Sequence, residues 1–376
     1  MERSKMKNNI QDIVLTALFL LAITAVPLIM LFVPDRTFSE TERRYLAERP
    51  SMTEQDLREW SFDDDFEEYA ADQMPLRDLF VGLNALIIRG TGRQVSADIY
   101  ADREGYLVEA PVSYSREETD RRLKKIASLG EKTGLVPEVV VVPSTGYVRS
   151  DNLPGHLSKL YSDSEVFTAV SSQEGVTDIS LEETFLAHGS DWYYRTDHHW
   201  NREGAYAAYE LWCKKTGREA LPADAFLTHH VNGFSGSTRS RSALWLTRTE
   251  TLYLYEPECR VTVSFSDDEE AYDSLLFLGH IGEYDWYPAF IDGNHPLTFI
   301  ENEDSVSDDV LVMVKDSFGN TLAPWLVPSF KKIVMVDPRY YRGSISDICH
   351  ENAATELMFC YSVERIANDT NLLLLK

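Results

Sequence analysis

Cysteine is sparse: Cys213, Cys259, Cys349 and Cys360 are scattered over 376 residues, with no CxxC pair and no zinc-finger spacing. That pattern gives no footing to a dithiol redox motif or a thiolate metal site. Four cysteines allow three disulfide pairings, and spacing selects none. Positive charge is scarce too, with 36 Lys and Arg against 61 Asp and Glu and a net charge of -25. A phosphate backbone would be repelled without a localised basic patch, and none is visible, so nucleic acid is excluded as a partner. The excess acid serves solubility. HExxH is absent, as are internal repeats and low-complexity tracts.

What the chain does have begins with an apolar run. Residues 13–33, "IVLTALFLLAITAVPLIMLFV", carry no charge and suffice to cross a bilayer core as a helix. A cleaved signal peptide would have a shorter core and a small-x-small cleavage site, which "MLFVPDR" at 30–36 does not offer. Arg3, Lys5 and Lys7 precede the run, and the positive-inside bias assigns residues 1–12 to the cytoplasm and everything after Pro34 to the outside.

Residues 34–110 read as an extracytoplasmic connector docking on a main domain. Within it, Leu57, Trp60, Phe66 and Tyr69 recur at near-helical intervals, predicting a helix from Thr53 to Tyr69, and "DIYADREGYLVE" at 98–109 predicts a hairpin. Residues 111–376 alternate helix and buried-strand patterns. "SREETDRRLKKIASLGEKTG" has a helix's start and stop signals, with Ser115 before two glutamates and Gly134 at the end. "PEVVVVP", "DVLVMV" and "KKIVMV" are short valine-rich runs expected of strands covered on both faces. The fold class is α/β, with a mainly parallel sheet flanked by helices.

Two stretches carry chemistry. "KDSFGN" follows "DVLVMV" directly, so Ser317 falls at the carboxyl end of a strand, where ligands gather in open α/β sheets. "TLAPWL" beyond it opens a helix. A strand-end Asp-Ser turn is often only a cap, but "TDHHWNREGA" supplies what a serine nucleophile needs. Asp197 orients and His199 accepts the proton. In an extended loop these two, at i and i+2, share one side, and His198 is expected to face the other way with a structural role. Trp200 packs the loop, and Asn201 caps the helix of "REGAYAAYELWCKKTG". A metal held by adjacent histidines is the minor alternative, and no metal or other cofactor is assigned.

"YYRTDHHWNREGAY", "DQMPLRD", "GNHPL" and "VKDSFGN" resemble the bacterial DHHW protein family. That family is similar to the periplasmic alginate O-acetylation proteins, with a catalytic domain related to SGNH hydrolases. The resemblance implies an SGNH hydrolase-like fold, O-acyl transfer or deacylation, and matching places for Asp197, His199, Trp200 and Ser317.

Further polar groups are candidates for the oxyanion or substrate. Gly236 lies in "FSGSTRSRS", Asn294 and His295 in "DGNHPL", Arg339 in "VDPRYY" and Tyr147 in "PSTGYVR". The plain alternatives are a surface loop for Gly236, a turn for Asn294 and His295, and pairing with Asp337 for Arg339. The leading reading is a membrane-anchored extracytoplasmic O-acyltransferase or esterase acting on cell-surface polysaccharide. A transferase would need a partner delivering acyl groups across the membrane, such as a multispanning O-acyltransferase. The rival is a non-catalytic polysaccharide-binding or assembly protein of the envelope.

Overall fold

The computed structural model describes residues 2–39, 44–51, 62–91, 98–244, 246–283 and 285–376. The chain divides into two compact units, Met1–Ala97 with Ser240–Trp245, and Asp98–Arg239 with Leu246–Lys376.

In the first unit, α1 (Glu2–Phe32) includes the stretch Asp12–Phe32, which is long and apolar enough to cross a membrane. A two-residue pair follows, β1 (Phe38–Ser39) antiparallel to β2 (Arg44–Tyr45). Helix α2 (Phe62–Asp72) covers the end of the run expected to be helical from Thr53; residues 53–61 lie outside the described residues. Helix α3 (Arg77–Gly90) comes next.

The second unit opens with a hairpin, β3 (Ile99–Ala101) antiparallel to β4 (Leu107–Glu109). Helix α4 (Arg116–Thr133) begins with the Ser115 side chain accepting from Glu118 N and ends at Gly134 in the left-handed region. After it come β5 (Glu138–Val142), α5 (Asp163–Ser171) and β6 (Thr177–Ser180). Helix α6 (Arg202–Thr216) is capped by Asn201. Then β7 (Phe226–Phe234) and β8 (Glu250–Pro257) form a separate antiparallel ribbon. The chain continues through β9 (Val261–Phe265), β10 (Ala271–Tyr272), β11 (Leu297–Asn302), β12 (Val310–Lys315), α7 (Gly319–Leu326), β13 (Lys332–Val336) and β14 (Glu356–Ser362).

One sheet of eight strands runs in the order β10-β9-β11-β13-β12-β14-β5-β6. From β13 to β6 all neighbours are parallel, and β11, β9 and β10 extend it antiparallel. Successive strand residues point to opposite faces, so each valine-rich run feeds two cores. Leu311 and Met313 join Ile333, Met335 and Trp325 on one face; Val312 and Val314 join Val334, Leu123 and Val166 on the other. Helices α6 and α7 cover the first face, and α4 and α5 the second. Because α6 and α7 share a face, the segments leading into them, 193–201 and 316–318, are drawn to the same edge. The antiparallel extension and strand β14 were not marked in the sequence, since "ELMFCYS" mixes polar and apolar residues.

Candidate active site

The loop before α6 is closed on itself. Tyr193 and Trp200 form an isolated antiparallel bridge, Tyr194 N donates to His199 O at 3.1 Å, and Asn201 N donates to Trp192 O at 2.8 Å. Glu250 of β8 holds the upstream end, accepting from Arg195 N, Thr196 N and Thr196 Oγ1. Tyr193 drives its hydroxyl to Pro143 O at 2.6 Å, fastening the loop beside the end of β5. The segment between is a series of bends rather than a strand, so its side chains do not alternate.

His199 sits between two partners. Its Nδ1 is 2.5 Å from Asp197 Oδ1 and its Nε2 is 2.7 Å from Ser317 Oγ. An ionised carboxylate only accepts, so Nδ1 carries the proton and Nε2 of the neutral ring accepts from the Ser317 hydroxyl. Asp197 and His199 are buried, and Ser317 is half-buried. Burial works to raise the Asp197 carboxyl, but the adjacent imidazoles and the hydrogen bonds from His199 hold it well below the usual carboxylate range. Burial, joined by His198, pulls the His199 imidazole below its ordinary value, against the opposing pull of Asp197. The row is therefore an ionised carboxylate, a neutral imidazole and a hydroxyl, which is the protonation state a general base requires.

Further neighbours support the row, and of these Tyr287 had no sequence signal. The Tyr287 ring stacks on His199 at 3.8 Å between centroids and 11° between planes, and its hydroxyl donates to Ser317 O at 3.2 Å. Trp200 donates its indole N–H to Thr321 Oγ1 at 2.6 Å, joining the loop to α7. Ser237 donates both N–H and hydroxyl to Asp197 Oδ2, at 2.6 and 2.8 Å. The stretch "FSGSTRSRS" was expected to offer an oxyanion donor from Gly236; the residue that reaches the row is Ser237, and it reaches Asp197.

His198 departs from expectation. It does not face away: its ring lies 3.9 Å from that of His199, and its Nδ1 is 3.1 Å from Ser237 Oγ. The alternation that predicted otherwise belongs to extended strands, and this loop is bent. Asp197, His198 and His199 place ligand atoms within 4.8 Å of one another. Both Asp197 oxygens are engaged by His199 and Ser237, so a cation there would have to displace hydrogen bonds that already satisfy the carboxylate.

The other candidate residues divide. The Gly236 N–H goes to Thr196 Oγ1 at 3.0 Å, behind Asp197, so it supports the acid's loop instead of facing Ser317. His295 uses Nδ1 on Asp267 and Nε2 on Asp292, and stacks on Phe265. Arg339 pairs with Asp337 through Nε at 2.9 Å and Nη2 at 2.6 Å. Tyr147 donates to Glu182 at 2.7 Å. Asn294 presents a donor: its oxygen accepts from Lys315 Nζ at 2.9 Å and from Asn320 Nδ2 at 3.3 Å, which fixes the amide's orientation, and its Nδ2 amino group has no hydrogen-bond partner among the described residues. Lys315 is buried, with burial pulling its ammonium down to about 8, and also reaches Asn320 and Asp337. The four cysteines are free thiols.

Comparison with known proteins bears on the family and the fold. Residues 166–336 match the model of the DHHW protein family. A crystal structure of a DHHW family protein from Eubacterium siraeum is 21% identical, with a TM-score of 0.63, covering 74% of this chain and 97% of that one. Bacillus cereus PatB1, solved with a sulfonyl adduct, is also 21% identical, with a TM-score of 0.63 and coverage of 74% and 98%. At that identity the likeness is one of fold, and the fold is the SGNH hydrolase-like α/β architecture. No curated protein matches the chain.

Proposed function

We propose that this protein is a membrane-anchored enzyme with its bulk outside the cytoplasm, transferring an acyl group, most simply acetyl, to or from hydroxyls of a cell-surface polysaccharide. The observation that carries the reading is His199, hydrogen-bonded to Ser317 Oγ on one side and Asp197 on the other. Ser317 Oγ attacks the acyl carbonyl while His199 Nε2 takes its proton; the donor's oxygen leaves with that proton, and an acyl ester remains on Ser317. A sugar hydroxyl or water then attacks the ester, gives its proton to His199, and the proton returns to Ser317. The free amino group of Asn294 is suited to the oxyanion. The apolar stretch of α1 supports anchoring, and the motif's likeness to alginate O-acetylation proteins supports acetyl as the group. A transferase role calls for an acyl donor presented at the membrane, for which a multispanning O-acyltransferase is the fitting partner.

PatB1 has been solved with a sulfonyl adduct, and sulfonyl electrophiles capture activated nucleophiles. The test is to treat the full chain with an aryl sulfonyl fluoride, map the adduct by mass spectrometry, and follow acetate release from an aryl acetate. The adduct is expected on Ser317, with hydrolysis lost together with labelling. An unmodified Ser317, with hydrolysis equal in the wild type and Ser317→Ala, would overturn the enzymatic reading and leave a polysaccharide-binding role.

A further inference from the structure

Helix α3 is inverted relative to a water-facing helix. Its buried positions are the small residues Gly82 and Ala85. Four of its large apolar residues, Leu79, Phe80, Leu83 and Ile87, lie on one helical stripe and are all exposed, Ile87 to 67%, while Val81, Leu86 and Ile88 are half-buried. Leu76, just before the helix and in the left-handed region at φ 60°, continues the stripe and is 69% exposed. A surface helix in water turns its polar side outward, so this face is built for a different medium.

The start of α3 is tied to the exit of α1. The Gln73 amide accepts from Arg36 N and donates to Arg36 O, both at 2.9 Å. Asp78, in the first turn of α3, pairs with the Arg36 guanidinium at 3.2 Å. Tyr69 donates to Asp35 at 2.9 Å, and Arg49 donates to Met30 O at 3.4 Å. Ile29, Met30 and Val33 share with Met74, Pro75 and Leu79 the wall of one cavity of about 390 Å³. The first turn of α3 is thus held where the apolar run of α1 ends, and Arg89 lies exposed in its last turn.

We infer that α3 is an interfacial membrane helix, with the Leu76, Leu79, Phe80, Leu83 and Ile87 face entering the headgroup and acyl boundary of the bilayer that α1 crosses. The inference rests on reading α1 as a membrane span.

The test uses the full chain in vesicles of phosphatidylcholine and phosphatidylglycerol, with Cys259→Ser to remove the one thiol that is not buried. A bimane label is placed through Leu83→Cys, Ile87→Cys or, in α1, Leu21→Cys. Labelled chains are used only where thermal unfolding matches the unlabelled protein. Labels at 83 and 87 are expected to be quenched at least twofold by lipid-borne nitroxide and shielded from aqueous iodide, as at 21. Iodide quenching at 83 and 87 without lipid quenching would overturn the inference. Shielding from both quenchers would overturn it too, because a protein surface would then cover the face. A label at 21 that is not lipid-quenched would defeat the anchor reading separately, and labels 83 and 87 would still decide for or against α3.

Discussion

Two clusters of polar and ionisable side chains, one at the last residue of β12 and one just beyond it, differ in how their hydrogen bonds end. The charges of the Lys315 cluster close on one another: the ammonium meets the oxygens of Asn294, Asn320 and Asp337, and Asp337 is held by Arg339, while the one open group, the Asn294 amino group, is neutral. The Ser317 cluster is open: Asp197 is saturated and His199 is buried, but the row terminates in a half-buried hydroxyl. A closed set of charges stiffens an edge, whereas an open row leaves one atom able to react. A step of two residues, from the end of β12 to the turn beyond it, thus separates a structural role from a chemical one.

The largest expected effect comes from breaking the open row. His199→Ala and Ser317→Ala should each lower kcat/KM for an aryl acetate by about 10⁴-fold or more, with little added loss in the double variant. Asp197→Asn, which keeps the base but loses its anionic acceptor, should cost about 10²- to 10⁴-fold. A double variant showing the product of the single losses would mean that the residues do not act as a unit.

Breaking the closed cluster should act on stability. Asp337→Ala leaves Lys315 and Arg339 without their shared carboxylate, and denaturant unfolding should show a loss of about 3–5 kcal/mol. A folded variant with unchanged stability would remove the distinction between the clusters.

Tyr287→Phe keeps the ring on His199 and deletes the hydroxyl on Ser317 O. A neutral hydrogen bond is worth about 1 kcal/mol, so kcat should fall about 2- to 10-fold with KM nearly constant. A change in KM alone would assign Tyr287 to substrate contact.

The smallest effect is a displacement of the pH profile. His199 is active when neutral and its pKa is depressed, chiefly by burial, so kcat/KM should hold below the ordinary histidine value of about 6.5 and fall only as pH drops through the lowered pKa. His198→Gln removes a lesser contributor and should move that limb slightly upward. A limb above 6.5 in the wild type would contradict the electrostatic account.

Much of this architecture was legible in the residues. Valine-rich runs marked strands buried on two faces because they are too short for a helix and branched residues pack well on a pleated surface. Ser115 and Gly134 marked the ends of α4 because each solves a terminal hydrogen-bonding problem. Ser317 and the Asp197–His199 pair stood out because few other roles unite those groups. Tyr287 did not, since it lies in an irregular segment, "DWYPAF", with no period to give its direction. His198 was misdirected because strand alternation was applied to a bent loop. Lys315 read as the end of a strand, and only the register of β12 with β13 brings Asp337 beneath it.

Gly236 carries no reactive group, but a Cβ at that position would stand 2.3 Å from Asp197 Cβ. Even alanine would push the carboxylate out of line, so the position is as intolerant of replacement as the reactive residues. In a saturation library scored for turnover it should rank beside Ser317 and His199. Scored for abundance, it should separate from Ser317, because its steric conflict also strains the fold, whereas Ser317→Ala removes only a half-buried hydroxyl.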